Sequence, residues 1–195
     1  MRMKDEIYKI AEKQLLGGGY DKLNFTAISE TLNTSRANIH YHFKTKEALA
    51  IEVMEQYAAR ECGNLNQVKE AFKGDFFGFF AAMDNAFWPE DHEGYTSSEA
   101  SKDGSNNFCS NFLANPKLPE SLVKLTKKLY QDVEEILAGI IQDAIDNHQI
   151  RADVDARQEA LRIHVIMMGI MTTGLHVVEH KQLRGLIMDW ANSLK

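Results

Sequence analysis

The chain has 195 residues, 44% of them hydrophobic, which is enough for a packed core and excludes general disorder. No apolar run reaches the length needed to span a bilayer, and Met1–Ile10 lacks the apolar stretch of a signal peptide, so the cytoplasm is the expected compartment and no membrane partner is expected. The net charge of −6 argues against a nucleic-acid binder as a whole, but residues 1–50 carry net +2 and residues 51–195 net −8, so the two parts have different partners in prospect.

The pattern is helical almost throughout, with three prolines at 89, 116 and 119 and no alternating strand pattern. Ile7, Ile10, Ala11, Gln14 and Leu15 follow the spacing of one helix face, and Gly17-Gly18-Gly19 is expected to stop that helix. Asn24 can cap a short second helix, Phe25 to Leu32. Asn33 follows, a residue that tolerates positive φ. Ser35 can cap a third helix, Arg36 to Phe43, and Thr45 a fourth that runs to about Arg60. A long fifth helix carries Leu65, Val68, Phe72, Phe76, Phe79, Phe80, Met83 and Phe87, and ends at Pro89. Residues 90–107 are polar and read as a loop, and residues 108–113 as a short helix. Pro119 suits the first turn of a seventh helix carrying Leu122, Leu129, Val133, Ile136, Leu137, Ile140, Ile141 and Ala144. Asp155 can cap an eighth, through about Val178, and a ninth runs from about Gln182 to Leu194. The fold class is therefore all-α, with about nine helices in two parts: a three-helix unit in residues 1–48 and a larger helical bundle in residues 49–195.

Two short helices joined through Asn33-Thr34-Ser35, behind a longer first helix, make a helix-turn-helix. Phe25, Ile28, Leu32, Ile39 and Phe43 pack it together, and the polar positions between them stay exposed. A third helix opening Ser-Arg-Ala-Asn can put its first turn at the base edges of a major groove. Asn38 can pair bidentately with adenine, and Arg36 can reach guanine or a phosphate. Ala37 leaves room for backbone or a thymine methyl. Thr26, Ser35, Tyr41, His42 and Lys46 can hold phosphates, and His40 a base or a phosphate. His40 and His42 are two apart, point in different directions on a helix, and make a poor metal pair.

Residues 7–49 resemble the DNA-binding domain of the tetracycline-repressor family. The resemblance rests on Ile7–Leu16, Gly19-Tyr20, Asn24–Glu30 and above all Ser35-Arg36-Ala37-Asn38-Ile39-His40-Tyr41-His42-Phe43-Lys44-Thr45-Lys46-Glu47-Ala48-Leu49. It covers about a quarter of the chain. Three positions depart from the family's usual run: Asn33 and Ala37 stand where glycine is common, and His40 where an aromatic is common. The fold survives these changes, but the operator sequence does not carry over from relatives.

What the resemblance implies for the larger part is a bundle with an internal small-molecule pocket and a dimer interface made by the last two helices. Candidate pocket residues are Phe80, Met83, Phe87 and Trp88 on the fifth helix, and Phe108, Cys109 and Phe112 on the sixth. Tyr130 on the seventh and His164, Met167, Met168 and Met171 on the eighth complete the set. Met and Phe suit a greasy ligand, and the same stripes equally suit an ordinary core. Candidate dimer residues are Leu175, Val178, Leu183, Leu186, Ile187 and Trp190, unless the last helix packs internally.

No phosphate loop, nucleophile elbow, dinucleotide fingerprint or metal-ligand spacing is present, so no enzyme activity, cofactor or metal is expected. The expected function is that of a DNA-binding regulator: a homodimeric repressor on a palindromic, double-stranded operator, released by a small hydrophobic effector. One alternative makes Cys109 a redox or electrophile switch, against its reading as a buried inert thiol. Another makes the protein a DNA-bound platform that recruits a protein partner.

Overall fold

The computed structural model describes residues 3–87, 117–173 and 183–195. Among them are eight helices and no strand: α1 (Met3–Lys22), α2 (Phe25–Thr31), α3 (Arg36–His42), α4 (Lys46–Ala71), α5 (Phe76–Phe87), α6 (Glu120–Asp146), α7 (Ala156–Thr173) and α8 (Leu186–Ser193). They form two compact units. The first holds residues 3–59 and 117–128, the second the remaining described residues.

In the first unit, α1 buries Ile7, Ala11 and Leu15, the face its spacing announces. The glycine run interrupts this helix without ending it. Gly19, at φ 71°, bends the chain, and helical residues continue to Lys22. Phe25, Ile28, Ile39 and Phe43 are buried, as expected for the residues that clamp α1, α2 and α3 together. Beyond the expected limit near residue 48, α4 continues to bury Leu49, Ala50, Val53, Met54 and Tyr57, so this unit reaches residue 59. Leu122 and Thr126 of α6 are buried in it too, and the Ser121 hydroxyl donates to Glu47 Oε1 at 2.5 Å.

In the second unit, one core joins Leu65, Phe76, Phe79, Phe80, Leu137, Ile141, Ile163, Ile170, Ile187 and Trp190. Aromatic edges organise it: Phe80 meets Trp190 at 4.8 Å and Phe79 at 4.9 Å between ring centroids. The Trp190 Nε1–H donates to Glu159 Oε2 at 2.8 Å, and Arg162 donates to the other oxygen at 2.6 Å, so this buried carboxylate is satisfied twice. The break expected near Arg60 lies instead at residues 72–75. Gly74 adopts φ +76°, a conformation that strains any residue with a Cβ, and Asp75 then caps α5 by accepting from the Gly78 N–H at 2.8 Å. Gln149 clasps the same turn, accepting from the Phe76 N–H and donating to the Gly74 carbonyl. At the other end, α8 starts at Leu186, after Gly185 at φ 91°, later than the expected start at Gln182. The expected loop over 90–107 and short helix over 108–113 lie outside the described residues.

Candidate nucleic-acid interface

Local chemistry fixes the helix-turn-helix. The Asn24 side chain accepts from the Thr26 N–H at 2.8 Å and opens α2. At its end, the Asn33 N–H donates to the Glu30 carbonyl and the Thr34 N–H to the Ser29 carbonyl, with Asn33 at φ 48°. This paired closure requires a left-handed residue, which explains why asparagine can stand where glycine is common. Ser35 opens α3 by accepting from the Asn38 N–H at 3.2 Å. Thr45 opens α4 by accepting from the Ala48 N–H at 3.0 Å.

The proposed contact residues fall into two groups. Thr26, Ser35, Arg36, Ala37, His40 and Tyr41 are exposed, and Tyr41 keeps 74% of its surface free. Asn38, His42 and Lys46 are half-buried. Several are held by neighbours before any partner arrives. Asn38 Nδ2 donates to Thr34 Oγ1 at 3.0 Å, which orients the amide and leaves one N–H and the carbonyl oxygen. His40 Nδ1 lies 3.3 Å from the Lys44 carbonyl, an acceptor, so Nδ1 carries the hydrogen; its ring meets Phe25 edge-on at 4.8 Å. The His42 ring packs edge-on against Tyr41 at 5.3 Å. The Lys46 ammonium sits 4.4 Å over the Tyr20 ring. Burial, with Glu47 and Asp21 adding to it, pushes the Tyr20 phenol above its ordinary pKa, so it stays neutral beneath that cation.

Leu23, Asn24, Phe25, Arg36, His40, Lys44, Thr45 and Lys46 line an open depression of about 400 Å³. Three permanent cations thus converge beside the N-terminus of α4, where free backbone N–H groups favour an anion. Sequence reasoning passed over Lys44; its place beside the helix end is set by the turn after Phe43. By contrast, Lys4 is engaged by Glu52 at 2.9 Å and by the Phe43 ring.

In the second unit, the candidate pocket residues are dispersed in role. Phe80 and Met167 belong to the packed core, and Met83, Met168 and Met171 are half-buried. Buried His164 places Nδ1 3.1 Å from Glu134 Oε1 and meets the Tyr130 ring at 5.2 Å, a pairing across thirty residues that no local pattern signals. Phe87 ends α5, and its side chain, like Trp88, Phe108, Cys109 and Phe112, lies outside the described residues. An open depression of about 320 Å³ near Lys69, Lys73, Phe76 and Gln149 includes none of the candidates.

Of the candidate dimer residues, Ile187 and Trp190 are buried within their own unit, because α8 packs that face against α5 and α7. Leu186 stays 38% exposed and Leu183 half-buried, while Leu175 and Val178 lie outside the described residues. Leu161 and Val165, adjacent turns of α7, are 49% and 62% exposed, and sequence reasoning missed both. No described helix is long and apolar enough to cross a membrane.

Residues 7–53 match the profile described as "Bacterial regulatory proteins, tetR family". The HTH-type transcriptional regulator QacR of Staphylococcus aureus (strain Mu50 / ATCC 700699) is 35% identical over 54 residues, a stretch spanning 28% of this chain and 29% of that protein. A TetR-family transcriptional regulator from Agrobacterium tumefaciens superposes with a TM-score of 0.82 over 98% of this chain and 97% of its own, at 17% identity. Two ligand complexes share the fold at a TM-score of 0.71. One is the regulator FadR of Bacillus subtilis with stearoyl-CoA, at 18% identity over 97% of this chain and 96% of that one. The other is a Saccharomonospora viridis putative transcriptional regulator with choline, at 17% identity over 97% and 95%. Residues 7–53 thus match the DNA-binding segment of the tetR family of bacterial regulatory proteins, and the chain shares its fold with solved regulators described as members of that family.

Proposed function

We propose that the protein is a homodimeric transcription repressor that binds a palindromic operator in the cytoplasm through α2 and α3 and is released by a small-molecule effector. The observation that carries this reading is the exposed first turn of α3, Arg36 and Ala37 with the oriented amide of Asn38, beside a depression rimmed by Arg36, Lys44 and Lys46. Side chains there read base edges, and the cations hold phosphates. The acidic remainder of the chain is repelled by DNA and favours one docking face.

Surface chemistry supports dimerisation. Leu161 and Val165 sit one helical turn apart on α7, and Leu186 opens α8. A second copy covers such a patch and sets two copies of α3 at successive major grooves. Effector binding is supported by the stearoyl-CoA and choline complexes of two proteins with this fold. Helix α4, which contributes to both units, is the proposed path of the signal, and the effector must bind the two states unequally.

The test is selection of duplexes from fragmented host DNA. The wild type should enrich a palindromic site, and Arg36→Ala should bind that site about 5- to 150-fold more weakly, the loss of about 1–3 kcal/mol typical of a base-reading arginine. Failure to enrich any site, or equal affinity of the variant, contradicts the reading.

A further inference from the structure

Thr34 lies in the turn between α2 and α3. Its backbone N–H donates to the carbonyl of Ser29, a buried residue of α2, at 2.9 Å. Four residues on, the Asn38 backbone is fixed as well, because its N–H donates to the capping Ser35 hydroxyl at 3.2 Å. A side-chain bond joins these two anchored residues, from Asn38 Nδ2 to Thr34 Oγ1 at 3.0 Å. Both are half-buried, and they flank the exposed Arg36 and Ala37. Threonine is branched at Cβ and has few χ1 choices, so an anchored backbone also places its hydroxyl.

The bond decides what the Asn38 amide can still offer. A free amide has two N–H donors and a carbonyl oxygen. With one N–H on Thr34, a single N–H and the oxygen remain, side by side. In the major groove, adenine presents N7 as acceptor beside the N6 amino donor, the complement of that pair. Guanine presents two acceptors, N7 and O6, so the amide oxygen would face O6 with no hydrogen between them. Cytosine and thymine each satisfy one half of the pair. We propose that Thr34 is a positioning residue for base recognition: it holds the Asn38 amide one way round, so that α3 selects adenine at one base pair and rejects guanine. This rests on the reading that α3 docks in a major groove, and it adds a specificity rule to that face.

Without the Thr34 hydroxyl the amide turns about its terminal torsion, which has a broad, nearly two-fold preference. Turned over, it brings an N–H to guanine O6. Discrimination then falls while the phosphate contacts, made by other residues, stay.

The test uses the full-length protein and the palindromic duplex that the wild type enriches, read by fluorescence anisotropy. Each A·T pair of one half-site is replaced in turn by G·C. One replacement should weaken the wild type by about 5- to 150-fold and leave Asn38→Ala unaffected, which marks the pair that Asn38 reads. At that pair Thr34→Val should keep less than about a third of the wild-type preference, with its penalties at other pairs and its salt slope unchanged. Thr34→Ser, which retains the hydroxyl, should keep the preference. If Thr34→Val loses its helical spectrum, Thr34→Ala makes the same comparison. A wild-type preference in the variant without the hydroxyl, or a loss spread evenly over all pairs, would overturn the proposal. An enriched site with no adenine that depends on Asn38 would overturn it too and leave the regulator reading standing. Failure to enrich any site refutes both.

Discussion

Asp155 and Ser35 do the same local work with different consequences. The Asp155 carboxylate accepts from the Arg157 and Gln158 N–H groups at the start of α7, and Ser35 caps α3 at the proposed DNA-binding face. Asp155→Ala should lower stability to urea by about 1 kcal/mol and leave operator affinity unchanged, whereas Ser35→Ala should lower both. Equal DNA affinity for Ser35→Ala and wild type would remove Ser35 from the interface. Four caps, at Asn24, Ser35, Thr45 and Asp155, and the positive φ of Asn33 were legible in the sequence because each depends on residues within a turn. The pairings of His164 with Glu134, Trp190 with Glu159 and Asp84 with the Gly185 N–H were not, because their partners meet only after distant helices have packed.

At the scale of elements, the three helices of the reader follow from periodicity and punctuation, and the second unit is harder to read. The end of α4 was misplaced because aromatic residues continue through it into α5, masking Gly74-Asp75, which together carry the turn and the cap. Helix α7 misleads in another way. Ile163, Met167 and Ile170 face inward while Leu161 and Val165 face outward, so it is apolar on two sides and reads as simply buried. The last helix drew attention by its apolar density, yet Ile187 and Trp190 spend that density inside the unit. The outward pair therefore carries the dimer proposal. Val165→Glu places a charge where a second copy would bury it, and sedimentation at micromolar concentration should show a monomer with an unchanged helical spectrum. A dimer that survives contradicts the interface.

For the whole molecule, charge separates the tasks more clearly than composition does. The net charge of −6 is the sum of a positive N-terminal stretch, net +2 over residues 1–50, and an acidic remainder, net −8, and the family profile over residues 7–53 falls almost wholly on the positive stretch. The rest of the chain has no comparably specific motif, because a helical bundle is specified by packing volume and a few polar groups. Asp84 is such a group, invisible until the fold closes over it. The central claim is that a dimer grips DNA through Arg36, Lys44 and Lys46 of each copy. Its most direct test is fluorescence anisotropy on the selected palindromic duplex at two salt concentrations. With Arg36 at a base edge, about four phosphate contacts per dimer, from Lys44 and Lys46 of each copy, predict an affinity on the order of 100-fold weaker at about 200 mM salt than at about 50 mM, and a shallower slope for Lys46→Ala. Binding that ignores salt, or a slope that Lys46→Ala leaves unchanged, would contradict the account.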